Sequence, residues 1–147
     1  MSATPEILQL AMNSLPHGPE FRFVDRMVSL TPGKTGVGEY RVRGDEYYLR
    51  GHLPGEPILP GVLLVEAGAQ VAGMVAQEDP ANPKWPQMKL TALRAVKIFG
   101  SARPGDTLRI EVLFQRARLG MCKMHGKIFV DGEVAAEADI MFGYKKD

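Results

Sequence analysis

The sequence lacks the charge imbalance that marks many proteins that bind nucleic acids or membrane surfaces. Its 147 residues carry a formal net charge of +1, which gives no overall reason to bind either partner. Hydrophobic residues make up 45% and charged residues 24%, as is ordinary for soluble globular proteins. The length fits a single domain, residues 1–147, with a core of its own.

Cysteine is almost absent, and so are long apolar runs. Cys122 is the only cysteine, which excludes an intrachain disulfide and favours a reducing compartment. We interpret it as a structural thiol, because no base or metal ligand neighbours it. The longest apolar stretch, residues 62–76, is too short to span a bilayer. The sequence does not open with a secretion signal, so we expect a cytoplasmic protein.

The first part of the chain carries helix and strand signals in turn. Thr4 followed by a proline predicts the start of a helix, which the Pro/Gly-rich residues 15–19 end. Residues 21–30 and 35–42 are predicted strands, joined by a turn at residues 31–33.

The centre of the chain predicts one long helix between two proline-rich loops. Residues 51–61 contain prolines at every third position, which favours a stiff, extended path. Residues 62–77 form the helix, and residues 79–86 form the second loop. A helix that is apolar nearly all round implies a sheet wrapped around it.

The last third predicts an antiparallel sheet. Apolar and polar residues alternate over residues 108–114, and a turn signal lies at residues 104–106. Asp131-Gly132 is typical of a two-residue hairpin. The predicted fold class is therefore α+β.

Glu66 and Gln70 are the only polar side chains of the helix between residues 62 and 76, and they share one face. A carboxyl group held among apolar side chains loses hydration, which favours its protonated form and suits a general acid. Alternatively, Glu66 lies where the helix meets solvent or pairs with an arginine. For Gln70, a hydrogen bond to a loop backbone is the favoured role.

His52 and Gly61 lie at the two ends of the proline-rich loop. An imidazole is a suitable base near neutral pH. The amide of Gly61 opens the helix, where N–H groups are unpaired and no side chain would block a substrate oxygen. The alternatives are a surface histidine and a glycine that merely permits the turn. His125 is predicted to face solvent, and His17 to cap or pack within its turn.

Residues 51–70 read GHLPGEPILPGVLLVEAGAQ. They resemble the active-site signature of the FabZ-type 3-hydroxyacyl-acyl-carrier-protein dehydratases, GHFPGxPxxPGVLxxEAxAQ. Residues 15–17 and 23–26 also resemble the N-terminal region of that family. The similarity extends over nearly the whole chain.

The resemblance implies a hot-dog fold, in which a curved antiparallel β-sheet wraps around a long central α-helix. It also implies homodimers with active sites shared between protomers, which can assemble as trimers of dimers. In such a site His52 would take a proton from C2 of a 3-hydroxyacyl thioester. Glu66 of the other protomer would help the C3 hydroxyl leave, and the Gly61 amide would bind the thioester carbonyl. The reaction requires no metal, nucleotide or redox cofactor.

Further features of the segment refine this expectation. The resemblance places Pro60, Val62 and Gln70 in contact with the substrate. A glutamate at position 66, where the dehydratase/isomerase branch has aspartate, favours dehydration without double-bond isomerisation. Gly68 replaces a common methionine, which predicts a changed acyl tunnel or changed dimer packing. Leu53 replaces a common phenylalanine, which removes an aromatic wall near His52.

The implied partner is an acyl carrier protein that bears a phosphopantetheine-linked acyl chain, in fatty-acid or related lipid synthesis. This acidic protein would need a basic surface, to which five residues could contribute: Arg50, Lys97, Arg103, Arg116 and Arg118. Two alternatives use the same fold. One is a thioesterase in which Glu66 activates water and His52 orients the thioester, and the other is an acyl-binding subunit without turnover.

Overall fold

The computed structural model describes residues 3–78 and 88–143. The helices and strands are α1 (Pro5–Asn13), β1 (Arg26–Thr31), β2 (Thr35–Arg41), α2 (Gly61–Gln77), β3 (Lys89–Ile98), β4 (Thr107–Arg118), β5 (Met121–Val130) and β6 (Glu133–Gly143). Two short 3-10 turns, Pro19–Phe21 and Tyr47–Arg50, lie between them. The predicted loop at residues 79–86 lies outside the described residues.

One antiparallel sheet contains all six strands, in the order β1-β2-β4-β5-β6-β3. Helix α2 contacts every one of them, and 11 of its 17 residues are buried. The wrapping that was expected from an all-round apolar helix is therefore confirmed, together with the α+β class and the hot-dog fold. Within the described residues, no helix combines the length and the apolar character needed to cross a membrane.

Most of the local predictions are confirmed. The Thr4 hydroxyl accepts a hydrogen bond from the amide of Ile7 at 3.3 Å and caps α1. At the hairpin between β5 and β6, Asp131 and Gly132 have φ angles of 52° and 79°. These left-handed conformations are the ones that a two-residue hairpin requires.

The predicted strand at residues 21–30 is too long at its start. Strand β1 begins only at Arg26, because the backbone of Phe21 and Phe23 bonds the side chain of Gln70 instead of a neighbouring strand. Strand β3 was not predicted at all. Its residues show no alternation of burial, since most side chains on both faces are exposed in the single chain.

Gly68 lets α2 approach the sheet closely. A Cβ atom at this position would lie 3.3 Å from Cδ1 of Ile128 on β5 and 3.4 Å from Cδ1 of Ile140 on β6. Gly68 therefore faces the packed core. The glycine that replaces the family's larger residue therefore bears on the spacing of helix and sheet, and its effect on an acyl tunnel or on dimer packing stays a prediction.

We expect Gly68→Met to destabilise the protein by about 1–3 kcal/mol, because the added side chain would overpack this contact. Urea unfolding of the purified protein measures the change. The matched control is Gly73→Ala in the same helix, where a Cβ atom would meet Cε of Met88 at an ordinary 3.6 Å and no other atom of the described residues. That variant should be neutral or more stable by up to about 1 kcal/mol. Equal losses in both variants would contradict the proposed close packing at Gly68.

Candidate active site

The loop that carries His52 folds into a tight turn. The amide of Leu53 donates to the carbonyl of Glu56 at 3.1 Å, and the amide of Glu56 donates back at 2.9 Å. The prediction of a stiff, extended path was wrong here. Each proline restricts its own φ angle and the residue before it, but Gly55, with φ of 75°, allows the chain to reverse.

This turn sets the protonation pattern of the His52 ring. Nδ1 of His52 lies 2.8 Å from the carbonyl oxygen of Ile58. A carbonyl can only accept, so Nδ1 must carry the proton that it donates. Nε2 of the neutral ring then has a free lone pair, which is the form that a general base needs. The backbone amide of Ile58 in turn bonds the carbonyl of His52 at 2.9 Å, so the ring and the loop hold each other.

The start of α2 brings Pro60, Gly61 and Val62 to the surface beside β3. A Cβ atom at Gly61 would lie only 2.9 Å from Cδ1 of Ile98, so this glycine is also needed for the close approach of β3. The first amides of a helix have no acceptor within the helix, which leaves them able to bind a substrate oxygen. Val62 is 69% exposed and Pro60 lies at the N-cap.

Glu66 lies one turn further along α2, at the edge of the core. Its side chain is 23% exposed, so the carboxyl is less deeply buried than the sequence suggested. Oε2 accepts a hydrogen bond from Nε2 of Gln70 at 3.0 Å and lies 3.6 Å from Nε2 of His17. The carboxyl is thus held on one oxygen by neighbours from its own chain.

Gln70 is the one buried polar side chain of the core that the structure describes, with 2% exposure. Its amide nitrogen also donates to the carbonyl of Phe21 at 2.9 Å, and its oxygen accepts from the amide of Phe23 at 2.9 Å. The loop contact favoured for Gln70 from the sequence is therefore present. Through it, α2 holds the segment that precedes β1, and the same amide orients Glu66.

His17 is a residue that sequence reasoning left without a functional role. The turn that carries it is clamped by Arg22, whose side chain donates to the carbonyls of His17 at 2.7 Å and Leu15 at 3.3 Å. The His17 ring stacks on Phe21 with 6.0 Å between ring centroids. In the sequence, only the resemblance of residues 15–17 to the family pointed to this histidine. Its contact with Glu66 depends on the tertiary structure, which no local pattern predicts.

The structure does not bring His52 and Glu66 of one chain together. Among the described residues, the ion pair of Glu66 is with His17, and the ring of His52 bonds Ile58. A site that uses both His52 and Glu66 therefore needs a second copy of the chain or a change of conformation.

A cavity of about 240 Å³ lies beside Gln70 and His17. Its wall is mainly apolar and includes Leu15, Met74 and Phe142. No group of three or more His, Cys, Asp or Glu side chains is placed to hold a metal ion within residues 3–78 and 88–143.

The remaining candidates lie away from this site. His125, on β5, donates from Nδ1 to Asp139 at 2.8 Å, and this hydrogen bond holds the pKa of Asp139 below its usual value. The ring is paired with carboxylates on its neighbouring strand rather than free in solvent. Cys122 is buried between β4 and β6, and burial raises the pKa of its thiol to about 11. Both side chains are therefore interpreted as parts of the sheet and not of the candidate site.

Comparison with known proteins identifies relatives over most of the chain. Residues 15–139 match the FabA-like domain family. The chain is 39% identical over 135 residues to the 3-hydroxyacyl-[acyl-carrier-protein] dehydratase FabZ of Roseiflexus castenholzii, covering 92% of this chain and 94% of that protein. It is 42% identical over 133 residues to the enzyme of the same name from Acetivibrio thermocellus, covering 88% of each. In fold it resembles the dehydratase heterocomplex ApeI:P from Xenorhabdus doucetiae, with a TM-score of 0.76 at 18% identity, over 93% of this chain and 91% of that one.

We expect Gln70→Leu to lower the free energy of unfolding by about 2–4 kcal/mol, because it leaves the buried amide of Phe23 and the carbonyl of Phe21 without a partner. Chemical denaturation measures the loss. Gln9→Leu is the matched control, since Gln9 bonds Asn13 on the exposed face of α1 and should change stability by no more than about 0.5 kcal/mol. A loss at Gln70 no larger than that at Gln9 would mean that the side chain does not tie the two segments together.

Proposed function

Because the chain belongs to the FabA-like family, we propose that it dehydrates 3-hydroxyacyl thioesters to trans-2-enoyl thioesters. The observation that carries the proposal is the set of groups in residues 51–70: a histidine whose Nε2 is left unprotonated by its hydrogen bond to Ile58, a helix-opening amide and a carboxyl held on one oxygen. The relatives named as 3-hydroxyacyl-[acyl-carrier-protein] dehydratases match over this whole segment and about nine-tenths of the chain. The pathway that such an enzyme serves is fatty-acid or related lipid synthesis.

Each group has a role that balances the reaction. Nε2 of His52 takes the proton from C2, and the electron pair of the C–H bond becomes the second bond between C2 and C3. The C3–O bond breaks with its electron pair on oxygen, which takes a proton from Glu66 and leaves as water. The amide of Gly61 donates to the thioester oxygen, where negative charge develops as C2 loses its proton. Return of a proton from His52 to Glu66 through solvent restores the starting state.

The site is proposed to form between two protomers, with His52 of one facing Glu66 of the other. The two residues make no contact within one described chain, and β3 offers a surface for the second copy. This strand lies at the edge of the sheet, and it and the residue after it expose five large apolar side chains: Leu90, Leu93, Val96, Ile98 and Phe99. A free edge with an apolar face is suited to pairing with another chain. Dimers of this kind can assemble further into trimers of dimers.

The acyl chain is proposed to arrive on the phosphopantetheine arm of an acyl carrier protein. Two of the basic residues expected to receive this acidic partner, Arg116 and Arg118, are exposed near the end of β4. They line one shallow surface with Lys123 and with Leu119, which is 89% exposed. Arg103 lies elsewhere, 4.0 Å from Glu56 in the His52 turn. Pro60, Val62 and Gln70 remain proposed substrate contacts.

The direct test incubates the purified protein with 2-enoyl and 3-hydroxyacyl thioesters on carrier protein and on coenzyme A, with products resolved by mass spectrometry. We expect reversible gain and loss of water with the thioester intact. His52→Ala and Glu66→Gln should each reduce the rate by at least about 100-fold, as expected for loss of a general base or acid.

Two other outcomes would overturn the proposal. Release of free acid and thiol would identify a thioesterase, in which Glu66 activates water. Absence of any reaction on all of these substrates, with the acyl thioester still bound, would identify a binding subunit. Gln9→Leu, on the exposed face of α1, is the control variant and should leave the rate unchanged.

Shared sites can be tested by combining defective chains. Co-expression of His52→Ala and Glu66→Gln chains with different affinity tags yields heterodimers in which one site has both residues intact. We expect these to recover about half of the wild-type activity per dimer, whereas each homodimer is inactive.

The matched control pairs a wild-type chain with a chain that carries both substitutions. With shared sites, every site of this heterodimer lacks one residue, so it should be inactive. The reverse pattern, in which only the control is active, would place His52 and Glu66 of the same chain in one site and would contradict the shared arrangement.

A further inference from the structure

The carboxyl of Glu66 is approached by a second imidazole of its own chain. Nε2 of His17 lies 3.6 Å from Oε2 of Glu66, the same oxygen that accepts from Gln70 at 3.0 Å. Both donors thus converge on Oε2, and neither bonds Oε1. A separation of 3.6 Å is longer than a hydrogen bond, and contacts between catalytic groups commonly shorten in the complex with substrate.

The surroundings of His17 determine which of its nitrogens carries the proton. Nδ1 is buried and has no hydrogen-bond partner among the described residues. A proton on Nδ1 would therefore be an unpaired buried donor, and it would leave the lone pair of Nε2 facing Oε2 of Glu66. With the proton on Nε2, the ring donates toward Glu66 and leaves Nδ1 only as an acceptor. This tautomer is the opposite of the one assigned to His52.

His17 is also held in place by contacts that do not involve Glu66. Arg22 bonds the carbonyls on both sides of Pro16, and Phe21 stacks on the ring. Phe21 is in turn bonded through its carbonyl to Gln70, so both donors to Oε2 belong to one connected unit. A ring fixed in this way needs little reorganisation when charge develops on the carboxyl group.

We propose that His17 is a positioning residue that donates from Nε2 to Oε2 of Glu66 and so directs Oε1 to the departing C3 hydroxyl. The inference rests on the proposed dehydratase function. When Glu66 gives up its proton, negative charge forms on the carboxyl group, and two donors on Oε2 stabilise that charge more than they stabilise the neutral acid. His17 thus acts on the chemical step through Glu66 and does not touch the substrate.

The kinetic test compares His17→Met with His17→Gln, using 3-hydroxyacyl thioester turnover. Methionine fills the space without an N–H donor, whereas glutamine keeps one. We expect His17→Met to lower kcat by about 10- to 100-fold, the value of a hydrogen bond to a charged group, with KM changed less than about 2-fold. His17→Gln should recover most of kcat. Thermal unfolding of both variants checks that they remain folded.

A spectroscopic test does not depend on activity. Long-range proton–nitrogen NMR of the wild-type protein should show His17 with a protonated Nε2 and an unprotonated Nδ1, assigned by the loss of these signals in His17→Gln. In Glu66→Gln the Nε2 signal of His17 should shift, while the signal of His125 on β5 stays unchanged.

The outcomes separate the two proposals. A wild-type protein that dehydrates its substrate, combined with an unchanged kcat in His17→Met, overturns the role of His17 alone. The role is also overturned if His17→Met loses thermal stability together with kcat and His17→Gln restores neither. An inactive wild-type protein overturns the dehydratase function, and the NMR experiment then still decides whether His17 donates to Glu66. A proton on Nδ1 with none on Nε2 would refute that contact.

Discussion

The structure depends on one constraint, which is that an apolar helix must be covered on every side. Helix α2 has almost no polar face, so a sheet on one side alone would leave part of it in water. Six strands wrapped around it meet this need, and the close fit requires glycines on both surfaces. A Cβ atom would lie 2.5 Å from Val75 at Gly36 of β2 and 3.0 Å from Val71 at Gly38, and at Gly68 it would crowd β5 and β6 less severely. The fold is therefore set by the spacing of helix and sheet as much as by the hydrophobic pattern.

The candidate site lies where this covering is interrupted. Glu66 and Gln70 share one face of α2, and the N-terminal segment closes over that face by bonding its backbone to Gln70. Because Gln70 serves both the loop backbone and Glu66, the stability of the core and the geometry of the carboxyl depend on the same amide group. Substitution there should affect folding and chemistry together, whereas His52 is held by its own turn and Ile58.

The sequence was sufficient to predict the features that depend on neighbouring residues alone. The cap at Thr4, the hairpin at Asp131 and the long apolar helix were all predicted correctly. The errors arise where a distant part of the chain decides. Residues 21–25 stay outside β1 because Gln70 bonds the backbone of Phe21 and Phe23. Strand β3 shows no alternation because most of its side chains are exposed on both faces. The path of the His52 turn depends on a single left-handed residue, Gly55. The contact of His17 with Glu66 joins two segments that no spacing in the sequence relates.

The burial of Cys122 has a practical consequence for measuring motion in this molecule. Its strand lies between β4 and β6, and a thiol reacts with alkylating reagents only as the thiolate and only when the reagent can reach it. In the native state both conditions fail, since the side chain is 3% exposed and burial has raised its pKa. The rate at which an exchange reagent modifies the intact protein therefore reports how often the middle of the sheet opens. The chain carries one such probe and no competing thiol, so its modification kinetics can be read without labelling or mutation.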